Sequence, residues 1–115
     1  MIKEGIININ KPAGMTSHDC IYVLRRVTGI KRIGHTGTLD PNATGVLPIC
    51  IGSSSRVAEY MDLDYKAYHC TLTLGLETDT LDIWGAVLAD KRGTFICTEA
   101  QIRDAFAGFS GKISQ

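Results

Sequence analysis

The chain has 115 residues, 12 basic and 12 acidic side chains, no net charge and 44% hydrophobic residues. That is the profile of one small globular domain; no apolar run nears the ~20 residues of a membrane span, and no signal-peptide pattern is present. Zero net charge, taken alone, counts against a nucleic-acid binder. Gly5 to Asn10 alternates apolar and polar residues as a strand does. Thr16 or Ser17 caps a predicted helix reaching about Thr28, with Cys20, Val23, Leu24 and Val27 on its apolar face and Gly29 ending it. Val46 to Ile51 is a second predicted strand, and Ser53–Ser55 opens a short helix carrying Val57, Ala58, Tyr60 and Met61. From Lys66 to Leu74 the alternation predicts a strand with Tyr68, Cys70, Leu72 and Leu74 on one face. Trp84 to Leu88 forms the next strand, and Lys91-Arg92-Gly93 a turn. Thr98 with Gln101 makes a capping box for a last helix bearing Ile102, Ala105, Phe106 and Phe109. The sum is an α/β chain of the α+β kind: a mixed sheet flanked by helices.

Cys20, Cys50, Cys70 and Cys97 are far apart, lie in apolar contexts and form no C-x-x-C. They predict four core thiols, with neither a metal site nor a disulfide framework. The distribution of charge says more than its total. Residues 1–39 carry Lys3, Lys11, Arg25, Arg26, Lys31 and Arg32 against Glu4 and Asp19, and the remaining residues are correspondingly acidic. A basic first third is suited to face phosphates, although solvated helix charges give the same count.

The most informative stretch is GHTGTLDPNATGVLPICIG, Gly34 to Gly52. Pro41 pushes Asp40 toward an extended conformation, and the glycines keep the loop out of a helix. A carboxylate on a stiff loop, followed at once by an apolar strand, is how a fold aims a reactive group. Asp before Pro is also ordinary turn chemistry. Here the loop exceeds what a turn needs, and Thr36, Thr38, Asn42 and Thr44 are expected to crowd round the carboxylate and hold it.

This loop resembles the catalytic loop of the TruB-type tRNA pseudouridine synthases. GIININKPAGMTSHD, Gly5 to Asp19, resembles the family's first strand and Lys-Pro-x-Gly-x-Thr-Ser motif. YKAYHCTLTLGLETDTLDIWG, Tyr65 to Gly85, resembles its Lys-x-Tyr strand and Leu-Gly-x-x-Thr-Asp-Thr-x-Asp segment. The wording Ala43-Thr44-Gly45-Val46-Leu47-Pro48 follows the bacterial form of the family.

The resemblance implies the pseudouridine synthase catalytic-domain fold, incomplete in this chain: residues 1–115 as its N-terminal portion. The later strands, an active-site arginine and a C-terminal RNA-binding domain are expected to lie outside it. It implies isomerisation of uridine to pseudouridine in the T loop, at position 55 of the tRNA, without cofactor or metal, by a cytoplasmic enzyme. Asp40 matches the nucleophile, Tyr68 the tyrosine that stacks on the target base, and Asp82 a carboxylate tuning the catalytic network. His35 matches a histidine packed among extruded T-loop bases, and Arg56 a basic residue near the site that contacts phosphate. Gly34, Thr36, Gly37 and Lys11 complete the RNA-facing set, though Lys11 and Pro12 are expected more to shape the fold than to touch substrate. The partner implied is the tRNA T stem-loop, with no membrane. An unpaired sheet edge would favour self-association, and little turnover is expected from the 115 residues alone. Two other readings stand beside this one. A phosphate-binding nucleotide module is weak, because neither G-x-x-x-x-G-K-[ST] nor G-x-G-x-x-G occurs. A non-catalytic RNA-binding or RNA-folding protein, or an inactive fragment that keeps the pocket, is the stronger alternative.

Overall fold

The computed structural model describes residues 3–61 and 65–114, in two compact units that divide after Ala67. In the first, the alternation beginning at Gly5 forms β1 (Gly5–Lys11), which pairs antiparallel with β3 (Gly45–Ile51) from Gly5↔Ile51 to Lys11↔Gly45. The short β2 (Ile33–His35), which has no sequence signal of its own, lies on the other side of β3, giving the order β1-β3-β2. Pro48 is tolerated in this central strand for a local reason. Its carbonyl accepts from Thr36 N–H at 3.2 Å, so its missing donor points to the β2 side, past the end of that strand.

Helix α1 (Ser17–Thr28) begins as the capping signal predicts. Thr16 accepts from Asp19 N–H, Asp19 returns a bond to Thr16 N–H, and left-handed Gly29 ends the helix. The Thr16 hydroxyl, then its backbone N–H, holds the Asp19 carboxyl below its ordinary pKa, as a capping carboxylate requires. Its buried face differs from the predicted one. Ser17, Cys20 and Ile21 turn inward with Leu24 half-buried, while Val23 and Val27 are exposed. Two polar anchors hold the helix in this orientation: Ser17 bonds the Leu39 backbone, and Arg25 Nη2 donates to Ile33 O at 3.3 Å. Cys20, Ile21, Ile33, Leu47, Ile49 and Ile51 form the core, with Ile7, Ile9, Met15, Leu24, Ile30 and Leu39 packed against it.

After β3 the chain makes two 3₁₀ turns, Gly52–Arg56 and Ala58–Tyr60, where a short helix was predicted. Gly52 has φ +67°, donates its N–H to Arg32 O at 2.8 Å, and lies so close to Lys3 that an added Cβ would sit 2.6 Å from that carbonyl oxygen. Gly52→Ala is therefore expected to destabilise the first unit by more than about 2 kcal/mol, combining left-handed strain with a backbone clash. Thermal or urea unfolding of the variant checks this.

The second unit contains β4 (Leu76–Thr78) paired antiparallel with β5 (Val87–Asp90), and α2 (Glu99–Ala107). The predicted strand from Lys66 to Leu74 is not formed: residues 65–73 carry no regular structure and are exposed. Alternation sets which side chains share a face, but a strand also needs a ladder partner, and none lies beside these residues among those described. Their apolar face is still used, since Leu72 and Leu74 join Ile102, Phe106 and Phe109 in lining an apolar cleft of about 380 Å³. Cys70 lies in this unpaired segment and is exposed, and Cys97 is half-buried, so only Cys20 and Cys50 are the core thiols predicted. The strand expected at Trp84 to Leu88 begins three residues late because an acidic loop takes its first amides. The capping box of Thr98 and Gln101 forms as predicted. All strand pairs described are antiparallel, so the architecture is α+β.

Candidate functional site

Asp40 is exposed, and the backbone on either side of it is fixed. On the N-terminal side, Ser17 Oγ accepts from Leu39 N–H at 2.9 Å and donates to Leu39 O at 3.2 Å. This pins the loop to the first turn of α1, while the Leu39 side chain packs against the core. On the C-terminal side, Pro41 O accepts from Gly14 N–H at 2.9 Å and from Lys11 Nζ at 2.9 Å. Ala43 N–H closes a turn onto Asp40 O at 3.0 Å.

Lys11 is the unexpected element of this arrangement. It ends β1 on the core-facing side of the strand and is fully buried. Its ammonium donates to Pro12 O at 3.0 Å, Met15 O at 2.6 Å and Pro41 O at 2.9 Å. All three donors of the group are thereby used on carbonyls. Lys11, which the resemblance sets beside the RNA-facing residues and which is expected more to shape the fold, thus has its ammonium buried and engaged within the protein. A buried cation satisfied by three carbonyl dipoles ties together β1, the 12–15 turn and the Asp40 loop.

A correction concerns the small polar side chains of the loop. Thr36, Thr38, Asn42 and Thr44 make no hydrogen bond to the Asp40 carboxylate; the loop is braced through main-chain atoms beside it. The carboxylate itself is left open to whatever enters. His35, in β2, and Thr36 have buried polar atoms, Nδ1 and Oγ1, without a partner among the described residues. Gly34 lies in β2 opposite Cys50, and Gly37 follows Thr36 at the start of the loop. Arg56, exposed, closes the first 3₁₀ turn.

Tyr68 and Asp82 belong to the second unit. Tyr68 is exposed in the irregular segment. Asp82 braces a loop: its Oδ1 accepts from Thr80 Oγ1 at 2.8 Å, Trp84 N–H at 2.9 Å and Gly85 N–H at 3.0 Å. Asp79 Oδ1 accepts from Ala86 N–H at 2.8 Å. These bonds take amides that a strand from Trp84 would have used, which is why β5 starts at Val87. Thr80 first, then the Trp84 and Gly85 amides, hold the Asp82 carboxyl below its ordinary pKa, so it is ionised at neutral pH. Leu81, at φ +62°, sits in the bend that these bonds enforce. Asp82→Ala is expected to speed hydrogen exchange of the Trp84 and Gly85 amides about tenfold, the equivalent of one lost hydrogen bond. Asp82→Asn keeps an acceptor at the same place and should leave exchange near the parent rate.

The TruB family pseudouridylate synthase model, for the N-terminal domain, matches residues 25–115. The chain is 45% identical over 112 residues to tRNA pseudouridine synthase B of Bacillus thuringiensis (strain Al Hakam), covering 97% of this chain and 36% of that protein. It is 48% identical over 112 residues to the protein of the same name from Alkaliphilus oremlandii (strain OhILAs), covering 97% of this chain and 37% of the relative. Among solved structures, an H/ACA RNP bound to a substrate RNA containing 2′-deoxyuridine matches with a TM-score of 0.50 and 38% identity, over 52% of this chain and 19% of the other. The chain thus spans little more than a third of the length of these curated relatives. With a family model covering most of its residues, the chain belongs to the TruB family of pseudouridylate synthases, in the part that forms the family's N-terminal domain.

Proposed function

We propose that this chain supplies the nucleophile-bearing part of a tRNA pseudouridine synthase acting on the T-loop uridine. The observation that carries the reading is Asp40, an exposed carboxylate whose neighbours Leu39 and Pro41 are locked by Ser17 and Lys11. The reaction breaks the N1–C1′ bond of uridine, turns the base and joins C5 to C1′. The C5 hydrogen leaves as a proton, N1 gains one, and nothing is oxidised or reduced. The base must first leave its stack for a pocket. The Asp40 carboxylate then adds to C1′ or to C6, or takes the C2′ proton. Each route requires an aimed carboxylate without competing partners, and the braced loop provides one.

The other roles follow the same reading. By the resemblance, Tyr68 is assigned stacking on the target base and loss of the C5 proton, and Asp82 is assigned to the catalytic network in addition to bracing its own loop. His35 and Thr36, whose buried polar atoms have no partner among the described residues, contact the extruded T-loop bases beside Gly34 and Gly37. Arg56 contacts phosphate.

The test uses T-arm RNA carrying tritium at C5 of its uridines, incubated with the 115-residue chain and with a chimera. The chimera continues residues 1–115 with the remainder of the Alkaliphilus oremlandii relative. The chimera is expected to release tritium and to yield pseudouridine on nucleoside digestion, while the chain alone releases little. RNA binding by the chimera without release of label would instead support the non-catalytic RNA-binding reading.

A further inference from the structure

We infer that Asp19, to which the mechanism above gives no part, is a positioning residue for Asp40 and acts through the N-terminal cap of α1. This rests on the catalytic reading and adds to it the element that fixes where the carboxylate stands. Asp19 is exposed and lies in the first turn of the helix. Among the described residues its side chain bonds Thr16 alone. Asp19 Oδ2 accepts from Thr16 N–H at 2.8 Å and from Thr16 Oγ1 at 2.7 Å, and Thr16 Oγ1 accepts from Asp19 N–H at 3.0 Å. Thr16 is thereby held extended, at φ −74° and ψ 161°, where the turn after β1 becomes the helix.

Thr16 sits among the residues that grip the loop. Gly14 N–H bonds Pro41 O at 2.9 Å, Met15 O accepts from Lys11 Nζ at 2.6 Å, and Ser17 Oγ is bonded to Leu39 N–H at 2.9 Å and Leu39 O at 3.2 Å. Both neighbours of Asp40 are therefore held from residues 14–17, and the path of that stretch is set at Thr16. The Ser17 hydroxyl is committed to Leu39, so the cap depends on the pairing of Thr16 with Asp19. An uncapped helix leaves its first amides without partners and frays there. Ser17, the first residue of α1, would shift with that turn and take its Leu39 bonds along. The rest of the helix is fixed independently, by Cys20 and Ile21 in the core and by Arg25 at the Ile33 carbonyl. Loss of the cap is thus confined to the turn that meets the loop. The second helix shows what such a box requires: Gln101 Oε1 accepts from Thr98 N–H at 2.8 Å without a charge. Asp19 places Asp40 by the bonds it makes, not by its charge.

Two readouts test this: hydrogen exchange of the Leu39 amide in the 115-residue chain, and single-turnover tritium release from C5-labelled T-arm RNA by the chimera. Asp19→Ala is expected to speed Leu39 exchange and to slow release, each by about three- to tenfold, the effect of one lost cap. RNA affinity should not fall, since an exposed acid is being removed. Asp19→Gln can rebuild the box and should return both readouts to near the parent values. Thr28→Ala is the matched control at the other end of α1. It removes a hydroxyl that donates to Leu24 O at 2.7 Å and accepts from Ile30 N–H at 3.2 Å. It should lower the melting temperature as Asp19→Ala does, yet leave Leu39 exchange and release unchanged. Circular dichroism melts verify that each variant is folded. The inference is overturned if folded Asp19→Ala keeps the parent Leu39 exchange or the parent release rate, if Thr28→Ala slows release as much, or if Asp19→Gln is as slow as Asp19→Ala. A parent chimera that releases no tritium would instead remove the catalytic reading, and Leu39 exchange would still decide whether the cap holds the loop.

Discussion

Lys11→Met is expected to lower the stability of the first unit by about 2–4 kcal/mol and to loosen the Asp40 loop. Methionine matches the length of the lysine side chain and preserves the packing of the stem, so the change isolates the ammonium. Its removal takes the charged donor from the part-buried carbonyls of Pro12, Met15 and Pro41, of which only that of Pro41 keeps another partner, Gly14 N–H. Hydrogen bonds to a charged group contribute roughly 1.5–3 kcal/mol each, and an orphaned buried acceptor costs about 1–3 kcal/mol. Relief from burying a cation offsets part of this total, which keeps the net below the simple sum. The functional effect should exceed what stability alone predicts. Pro41 is the residue after Asp40, so losing the Lys11 bond leaves Gly14 N–H as its remaining anchor. In the chimera, uridine turnover is expected to fall by on the order of 10²-fold at a temperature where the variant remains folded. RNA affinity, which does not draw on a sealed side chain, should stay within about threefold. Urea unfolding and tritium release measured on one preparation would check both effects. Undiminished turnover in a folded variant would show that the clamp does not position the loop.

Elements whose hydrogen bonds are local were legible in the sequence. Both capping boxes, Thr16 with Asp19 and Thr98 with Gln101, and the Gly29 stop involve partners within a few residues. β1 was legible from its alternation and β3 from its continuous apolar run, whose Leu47, Ile49 and Ile51 on one face and Cys50 on the other are all buried. The second unit was read less well because its chain is decided by pairing. The alternation from Lys66 to Leu74 describes a face correctly, yet no strand forms where no ladder partner lies alongside. The delay of β5 depends on Asp79 and Asp82 capturing the amides of Trp84, Gly85 and Ala86, a competition that β-propensity does not register.

The candidate site divides in the same way. Asp40 could be singled out from glycine, proline and the flanking strand, since stiff presentation is a local property. How the loop is held could not, because the holding groups are Ser17 and Lys11, 22 and 30 residues from the backbone atoms they bond. A lysine at the end of an alternating strand reads as a surface charge. Its register with Gly5, Ile7 and Ile9 on the inward face was the signal that pointed elsewhere. The threonines of the loop illustrate the converse, since proximity in sequence produced no bond to the carboxylate.

Asp40→Asn should have the largest effect of any single change. Asparagine keeps the size and shape of the side chain, and the main-chain bonds of Leu39, Asp40 and Pro41 that fix the loop do not involve the carboxylate. The variant is therefore expected to fold as the parent does and to bind T-arm RNA at least as well, having lost a negative charge near phosphates. It lacks the anionic oxygen that each route of the proposed function assigns to Asp40, and on that proposal turnover should fall by at least about 10³-fold. The most direct measurement places parent chimera and Asp40→Asn chimera side by side. Tritium release from C5-labelled T-arm RNA is followed under single turnover, and the RNA dissociation constant is taken on the same samples. Release by the parent, its loss in the variant and equal RNA binding are the predicted result; release by the variant within tenfold of the parent would contradict the assignment of Asp40 as the nucleophile.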